Sequence, residues 1–128
     1  MTKLRLLFVC VENSNRSQMA EAFARMNGVE AYSAGSRPSG VVNPKAIAAM
    51  RERGYDLSQH GSKSLQQIPQ GEYDYVVTMG CGDECPFIPA RNREDWELPD
   101  PKHLEPAEFN KVRDEIERRV KELIVRAR

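Results

Sequence analysis

The stretch LRLLFVCVENSNRS, residues 4–17, decides the fold because it joins an apolar segment to a helix-like segment through a short polar loop. Residues 4–9 are apolar and partly β-branched, which predicts a buried parallel strand. Residues 17–26 repeat apolar side chains at helical spacing and predict a helix that ends at Gly28. The polar loop between them therefore follows a strand directly and leads into a helix.

The rest of the chain alternates between the same two patterns. Further strands are predicted over residues 29–33, 73–79 and 94–96, and further helices over residues 44–53 (capped by Asn43), 62–68 (a weaker pattern) and 107–126. Glycine, proline and polar residues predict loops over residues 34–42, 80–93 and 97–106. Strands that alternate with helices predict an α/β fold, with a parallel sheet covered by helices on both faces.

Composition and charge narrow the class of protein. The chain has 128 residues without an internal repeat, so residues 1–128 are interpreted as one domain. Nineteen basic and 19 acidic residues give a net charge of zero, which argues against nucleic acid or a membrane surface as partner. The longest apolar run, residues 6–10, is too short to span a bilayer, and no signal peptide is visible. We expect a monomeric, cytoplasmic protein.

Three cysteines, Cys10, Cys81 and Cys85, cannot all pair within one chain. In a reducing cytosol such cysteines are more often catalytic, redox-active or metal-binding than structural. No C-x-x-C or H-x-x-x-H spacing accompanies them, so no metal site is expected. The two histidines, His60 and His103, lie far from them in sequence and are expected at the surface.

The loop after the first strand has the composition of an anion-binding site. Ligands of parallel sheets bind at the carboxyl ends of strands, and backbone N–H groups before a helix can surround a tetrahedral anion. Arg16 adds a planar fork that binds two oxygens, and the same donors stabilise a nucleophilic thiolate at Cys10. The predicted substrate-binding residues are Val11, Glu12, Asn13, Ser14, Asn15, Arg16 and Ser17. The alternative, an inert buried cysteine beside a solvated arginine, explains less of this pattern.

Residues 10–23, CVENSNRSQMAEAF, resemble the start of the low-molecular-weight protein tyrosine phosphatase superfamily. The R-S-Q-M-A-E segment is typical of the arsenate reductase branch, because the phosphatases usually have proline in the place of Gln18. The resemblance continues through YSAG (32–35), VNPKAI (42–47), VVTMG (76–80), EDW (94–96) and the Asp100-Pro101 pair. It implies a three-layer α/β sandwich in which a four-stranded parallel sheet has helices on both faces.

The same resemblance implies a covalent mechanism. Cys10 would attack arsenate, and Asp100, in a loop braced by prolines, would protonate the departing oxygen as general acid. The implied function is an arsenate reductase that produces arsenite in arsenic detoxification. The alternative is a phosphatase that hydrolyses phosphate monoesters through a Cys10 phosphoenzyme. Lys102-His103 stands where tyrosine phosphatases usually have tyrosines, which argues against phosphotyrosine. An oxyanion-binding module without catalysis is a third possibility, but the nucleophile and the acid are both present.

The sequence does not distinguish between two classes of reductant. In thioredoxin-coupled arsenate reductases, one further cysteine attacks the nucleophile's sulfur to release arsenite, and a second forms a disulfide with the first. Cys85-Pro86 matches the second position well, whereas Cys81 matches the first less well. Other branches use glutathione or mycothiol with a glutaredoxin-like protein. The resemblance therefore implies an external thiol reductant, no tightly bound cofactor and Cys81 and Cys85 as redox thiols, unless these two cysteines only pack.

Three positions depart from the family pattern. Glu12 stands where glycine is common, and we expect its carboxylate to point away from the anion. Asn15 replaces a cysteine that could pair with Cys10. Lys63 replaces an aspartate that, with Asn13 and Ser33, holds a potassium ion in some members. Its ammonium could replace that cation, so no bound metal is predicted; an ordinary surface lysine is the alternative.

Overall fold

The computed structural model describes residues 4–80 and 88–127. In chain order they form strand β1 (Arg5–Cys10), helix α1 (Arg16–Met26), strand β2 (Glu30–Gly35), helix α2 (Pro44–Arg51), strand β3 (Tyr73–Thr78), strand β4 (Ala90–Asp95) and helix α3 (Pro106–Ala127). Two short 3-10 helices, Leu57–Gln59 and Leu65–Gln67, lie between α2 and β3. The predicted alternation of strands and helices is confirmed.

The four strands form one parallel sheet in the order β2-β1-β3-β4. β1 lies inside the sheet, and its residues 6–9 are fully buried, which explains their continuous apolar sequence. Cys10 pairs with Gly35 at the end of β2, and Val9 pairs with Thr78 at the end of β3. The carboxyl ends of three strands therefore meet at one edge, where parallel sheets bind their ligands.

Apolar side chains cover both faces of this sheet, as predicted for an α/β sandwich. Leu6 and Phe8 of β1 belong to a larger core, to which α1, α2 and α3 all contribute buried residues. Leu7 and Val9 belong to a smaller core on the opposite face, which the segment around Leu65–Gln67 covers. Alternate residues of β1 thus anchor both outer layers, and this fixes the loop that follows the strand.

Two predicted elements differ in extent. The helix expected over residues 62–68 is reduced to the 3-10 turn Leu65–Gln67, because Pro69 disfavours helical geometry in the residue before it. The short strand expected over residues 94–96 is β4, which already begins at Ala90, inside a predicted loop. β4 is an edge strand with mostly exposed polar side chains, so its sequence lacks the alternation that marks a half-buried strand.

Within the ranges that the structure describes, no helix is long and apolar enough to cross a bilayer.

Candidate active site

The nucleophile predicted from the sequence lies where β1 ends. Cys10 is 3% exposed, and its Sγ lies 2.8 Å from Ser17 Oγ and 3.3 Å from the backbone N–H of Asn13. Ser17 Oγ accepts a hydrogen bond from Asn13 Nδ2 at 2.8 Å, so its own proton is left for the sulfur. Two donors therefore converge on Sγ, an arrangement that stabilises a thiolate.

Asn13 holds the shape of the loop. It has a φ of +53°, a left-handed conformation that asparagine tolerates better than most residues. Besides Ser17, its Nδ2 donates to Ser33 Oγ at 3.0 Å, and its Oδ1 accepts from Gln18 Nε2 at 2.9 Å and from the Lys63 N–H at 3.0 Å. Asn13 is completely buried, and these contacts use its whole amide, so the loop is a fixed structure.

The first turn of α1 supplies the positive end of the site. Asn15 precedes the helix, but its side chain accepts no hydrogen bond from the N-terminal N–H groups of α1. Helix N-termini leave such donors unpaired, and they can bind an anion. Arg16, the first residue of α1, is 8% exposed, and its Nη1 donates to the carbonyl of Leu98 at 3.0 Å. The guanidinium is therefore fixed between the loop and the segment that precedes Asp100.

Two glycines make room for this arrangement. A Cβ at Gly35 would lie 2.5 Å from the carbonyl oxygen of Val11, so β2 can approach the loop only with glycine at this position. Gly80 has a φ of +81°, and a Cβ there would lie 2.6 Å from Nη1 of Arg16. The glycine two residues after β3 thus leaves the space that the guanidinium occupies.

Asp100 faces the same cavity as the nucleophile. The cavity has a volume of about 410 Å³ and is lined by Cys10, Val11, Glu12, Ser14, Asn15, Arg16, Arg37, Gly80, Leu98 and Asp100. Asp100 is exposed, and its Oδ1 accepts a hydrogen bond from the N–H of Lys102 at 3.0 Å. A thiol nucleophile, a guanidinium and a carboxyl group therefore share one pocket at the carboxyl edge of the sheet.

The structure divides the predicted loop residues into two groups. Six of the eight residues from Cys10 to Ser17 line the cavity, whereas Asn13 and Ser17 are fully buried beneath it and hold the loop. Cys81 and Cys85 lie outside the described residues. Arg37 also lines the cavity and was missed, although the pairing of Cys10 with Gly35 places it just beyond the same edge. Its sequence signal, one arginine in a loop, is too weak to single it out.

Behind the loop lies a buried polar cluster, of which the resemblance had named Ser33 and Lys63 but not Glu21, Arg25 or His60. The carboxylate of Glu21, 3% exposed, accepts from Ser33 Oγ at 2.5 Å and pairs with Arg25 at 2.8 Å. Lys63 Nζ lies 3.6 Å from the same carboxylate, and His60 Nδ1 lies 3.8 Å from it. Lys63 thus bonds to Asn13 with its backbone and brings its ammonium to the carboxylate that Ser33 contacts, which supports its interpretation as a replacement for a cation.

His60 corrects an expectation, because its side chain is only 7% exposed instead of lying at the surface. Its ring bonds to Gln18 Oε1 at 2.9 Å and to the hydroxyl of Tyr55 at 2.6 Å. Burial lowers the pKa of His60, an effect that the nearby Glu21 carboxylate opposes. In the part of the chain that the structure describes, no three His, Cys, Asp or Glu side chains lie close enough together to hold a metal ion.

Comparisons with known proteins agree with this geometry. Residues 5–128 match the model of the low molecular weight phosphotyrosine protein phosphatase family. An arsenate reductase of Staphylococcus xylosus is 43% identical over 122 residues, which covers 91% of this chain and 92% of that protein. A solved arsenate reductase in its phosphate-binding state superposes with a TM-score of 0.87 at 36% identity, covering 98% of this chain and 99% of the other. A thioredoxin-dependent arsenate reductase of Corynebacterium glutamicum has a TM-score of 0.78 at 34% identity, over 98% of this chain and 62% of that one.

Proposed function

Because the chain belongs to the low molecular weight phosphotyrosine protein phosphatase family, and to its arsenate reductase branch, we propose that it reduces arsenate to arsenite in arsenic detoxification. The observation that carries this function is the single cavity shared by Cys10, Arg16 and Asp100. Its donors suit a tetrahedral oxyanion, and its thiol suits a reaction that ends in reduction of that oxyanion.

The first chemical step uses the described residues alone. The oxyanion binds to the loop N–H groups, to the N-terminus of α1 and to the guanidinium of Arg16, which carry the positive charge of the pocket. The thiolate of Cys10 attacks arsenic and forms a sulfur–arsenic bond. Asp100 gives a proton to the oxygen that leaves as water. Ser17, whose hydroxyl points to Sγ, stabilises the sulfur while it is a thiolate and again when it is released.

The second step requires another thiol. Its thiolate attacks the sulfur of Cys10, so that a disulfide forms and the sulfur–arsenic bond breaks. The electron pair of that bond stays on arsenic, which leaves as arsenite. Arsenic is thereby reduced, and the two thiols are oxidised to the new disulfide. Asn15 stands in the loop where a second cysteine would otherwise be available, so the attacking thiol comes from elsewhere. Cys81 is assigned this role, and Cys85 then resolves the disulfide.

Thioredoxin is the favoured final reductant. Support comes from the Corynebacterium glutamicum relative, which is thioredoxin-dependent, and from the two downstream cysteines of this chain. Glutathione or mycothiol with a glutaredoxin-like protein is the alternative source of electrons. Either system operates in a reducing compartment, which favours a cytoplasmic location, and the reaction needs only one copy of the chain.

Hydrolysis of phosphate monoesters is the competing function. Phosphate fits the same anion-binding loop, and Cys10, Arg16 and Asp100 would serve both reactions. The charged residues beside the cavity oppose an aromatic ester, since Glu12, which lines the cavity, forms an ion pair with Lys102 at an Nζ–Oε2 distance of 3.3 Å. Neither of these two charged side chains offers the aromatic surface that would stack on a phenyl ring.

The experiment that tests the proposal supplies arsenate and NADPH, with either thioredoxin and its reductase or glutathione, glutathione reductase and glutaredoxin. We expect arsenate-dependent NADPH oxidation with the thioredoxin system. Cys10→Ser abolishes it, and Cys81→Ser and Cys85→Ser each stop the reaction after at most one turnover. No NADPH oxidation with any reductant, together with rapid hydrolysis of p-nitrophenyl phosphate, contradicts the reductase. Full activity of both downstream variants contradicts the relay alone.

A further inference from the structure

An ion pair joins the two loops that form the active site. Lys102 Nζ lies 3.3 Å from both carboxylate oxygens of Glu12. The two partners are 90 residues apart in sequence, and each stands two positions after a reacting group, because Glu12 follows Cys10 and Lys102 follows Asp100. The pair thus connects the nucleophile loop with the loop of the general acid.

Each end of this connection is anchored to the rest of the protein. The carbonyl of Glu12 accepts hydrogen bonds from Ser62 Oγ at 2.9 Å and from the N–H of Ser39 at 3.1 Å. The carbonyl of Lys102 accepts from Nζ of Lys45 on α2 at 3.2 Å. The backbone at both ends of the ion pair is therefore held by contacts from outside the two loops.

The link from Lys102 to the acid is direct. The backbone N–H of Lys102 donates to Oδ1 of Asp100 at 3.0 Å, so this residue holds the carboxyl group with its backbone and Glu12 with its side chain. The carbonyl of Leu98, on the other side of Asp100, is held by Arg16 at 3.0 Å. The acid lies between these two tethers, and both run to the loop that carries the nucleophile.

We propose that the Glu12–Lys102 ion pair is a positioning device that holds Asp100 near the nucleophile loop for proton transfer. This proposal rests on the proposed function of the site. Neither side chain donates to or accepts from the reacting atoms, so both are positioning residues. The departure at Glu12 then has a use, because this carboxylate beside an anion site is paired with the ammonium of Lys102 in the acid loop.

The strength of the device is limited by solvent. The exposed fractions of the two side chains are 44% for Lys102 and 40% for Glu12, and pairs this exposed are weak and screened by salt. Loss of the pair is expected to lower the rate of the acid-dependent step by about two- to fivefold. The device thus biases the position of the acid loop without locking it.

Positioning and simple charge neutralisation give different kinetic signatures. Glu12→Gln removes a negative charge beside the anion, so it is expected to lower the arsenate concentration at half-maximal rate. Lys102→Met leaves the charge of Glu12 unpaired, so this variant is expected to raise the arsenate concentration at half-maximal rate. If the pair positions Asp100, both variants lower the first-turnover rate of arsenite formation at saturating arsenate. If it only neutralises charge, neither variant changes that maximal rate.

The test measures this first turnover in reduced protein with excess external thiol, for both single variants, their combination and the exchange Glu12→Lys with Lys102→Glu. Glu108→Gln with Lys111→Met is the matched control, because this exposed pair on α3 has a similar Nζ–O distance of 3.2 Å. We expect the combined variant to be no slower than either single one, the exchange to recover most of the rate, and the control to match the unchanged protein. Additive losses, or unchanged maximal rates in both single variants, would overturn the proposal.

A second readout does not depend on arsenate chemistry. Hydrogen exchange of the Lys102 amide, which bonds to Asp100, is expected to be about two- to fivefold faster in Glu12→Gln than in the unchanged protein. Unchanged exchange overturns the tether even if the protein reduces arsenate. Faster exchange in a protein that reduces no arsenate leaves the tether standing and refutes the proposed function alone.

Discussion

The two loops that form the active site are held by opposite means. The nucleophile loop, residues 10–17, is fixed by buried hydrogen bonds that satisfy the whole amide of Asn13 and reach Ser33 and Glu21. The acid loop has an exposed Asp100, and its contacts through Lys102 to Asp100, Glu12 and Lys45 are exposed as well, whereas the bond from Arg16 to the carbonyl of Leu98 is buried. Buried networks are rigid because any broken contact leaves an unpaired polar group, whereas exposed contacts can exchange with water at little cost.

This difference matches what each loop does. The nucleophile loop must present fixed donors to the oxyanion before the reaction begins, because reorganisation of dipoles would add to the activation barrier. The acid loop must let substrate and product pass and then bring Asp100 close, so weak and reversible contacts serve it better. The comparison predicts that substitutions of the buried residues in the first loop impair both stability and activity, whereas substitutions of the exposed residues in the second impair activity alone.

The largest effect on activity with no effect on stability is expected at Asp100. Asp100→Asn keeps the Oδ1 acceptor for the Lys102 N–H but cannot give a proton to the leaving oxygen. Loss of a general acid typically costs about 100- to 10,000-fold in rate. We expect first-turnover arsenite formation to fall by that factor while the urea midpoint of unfolding is unchanged. A large loss of stability would show that the acid loop is structural and would break the comparison.

Asn13→Ala tests the other loop. It removes all four hydrogen bonds of the buried amide, among them the acceptor of the Lys63 N–H, and places alanine at a φ of +53°, where it is strained. The free energy of unfolding is expected to fall by about 2–4 kcal/mol, and arsenate reduction by at least about 100-fold. Urea denaturation and first-turnover kinetics measure the two effects. Asn92→Ala is the control, since its exposed side chain makes one long hydrogen bond to the carbonyl of Asp74 at 3.3 Å. A stable but inactive Asn13→Ala protein would contradict the account.

The sequence was sufficient to predict the nucleophile loop but not its support. The apolar strand, the short polar loop and the helix are contiguous, so local patterns predict their order and the position of Cys10. Ser33 and Lys63 were named beside Asn13 only through the family resemblance, because they reach it through the pairing of β1 with β2 and the path of the chain before β3. Glu21, which reaches Asn13 through Ser33, was missed. Contacts of this kind depend on tertiary structure, which residue spacing does not encode.

The wrong expectation for His60 has the same origin. A histidine in a polar segment between two glycines, Gly54 and Gly61, is typical of a surface loop. The ring is instead covered because Tyr55 and Gln18 pack on either side of it and bond to both nitrogens. The length of edge strand β4 was underestimated for a related reason. Its neighbour β3 supplies the hydrogen bonds, and the polar side chains of β4 give no periodic signal in the sequence.

The position of Arg16, which joins the nucleophile loop to the acid loop, can be tested at Gly80, because a side chain there would displace the guanidinium. Gly80→Ala is compared with Gly54→Ala, because the two glycines have nearly equal φ values of +81° and +80° but only Gly80 has a neighbour within 4 Å of the added Cβ. Both variants should lose about 1 kcal/mol of stability from backbone strain. Only Gly80→Ala should also reduce arsenate more slowly, by roughly tenfold, because misplacement of a clamping group impairs catalysis. Equal activities of the two variants would show that the guanidinium moves freely.

The smallest expected effect concerns pH and the buried network behind the first loop. Because burial lowers the pKa of His60 in the folded protein, the unfolded chain takes up this proton first as the pH falls. The free energy of unfolding should therefore decrease as the pH falls below about 6.5, the ordinary pKa of histidine. Urea denaturation at pH 7.5 and 5.5 measures this slope, which His60→Gln should flatten while the exposed His103→Gln leaves it unchanged. An identical slope in the His60→Gln protein would mean that protonation of this ring is tolerated inside the network, so that the support of the nucleophile loop is less rigid than its hydrogen bonds indicate.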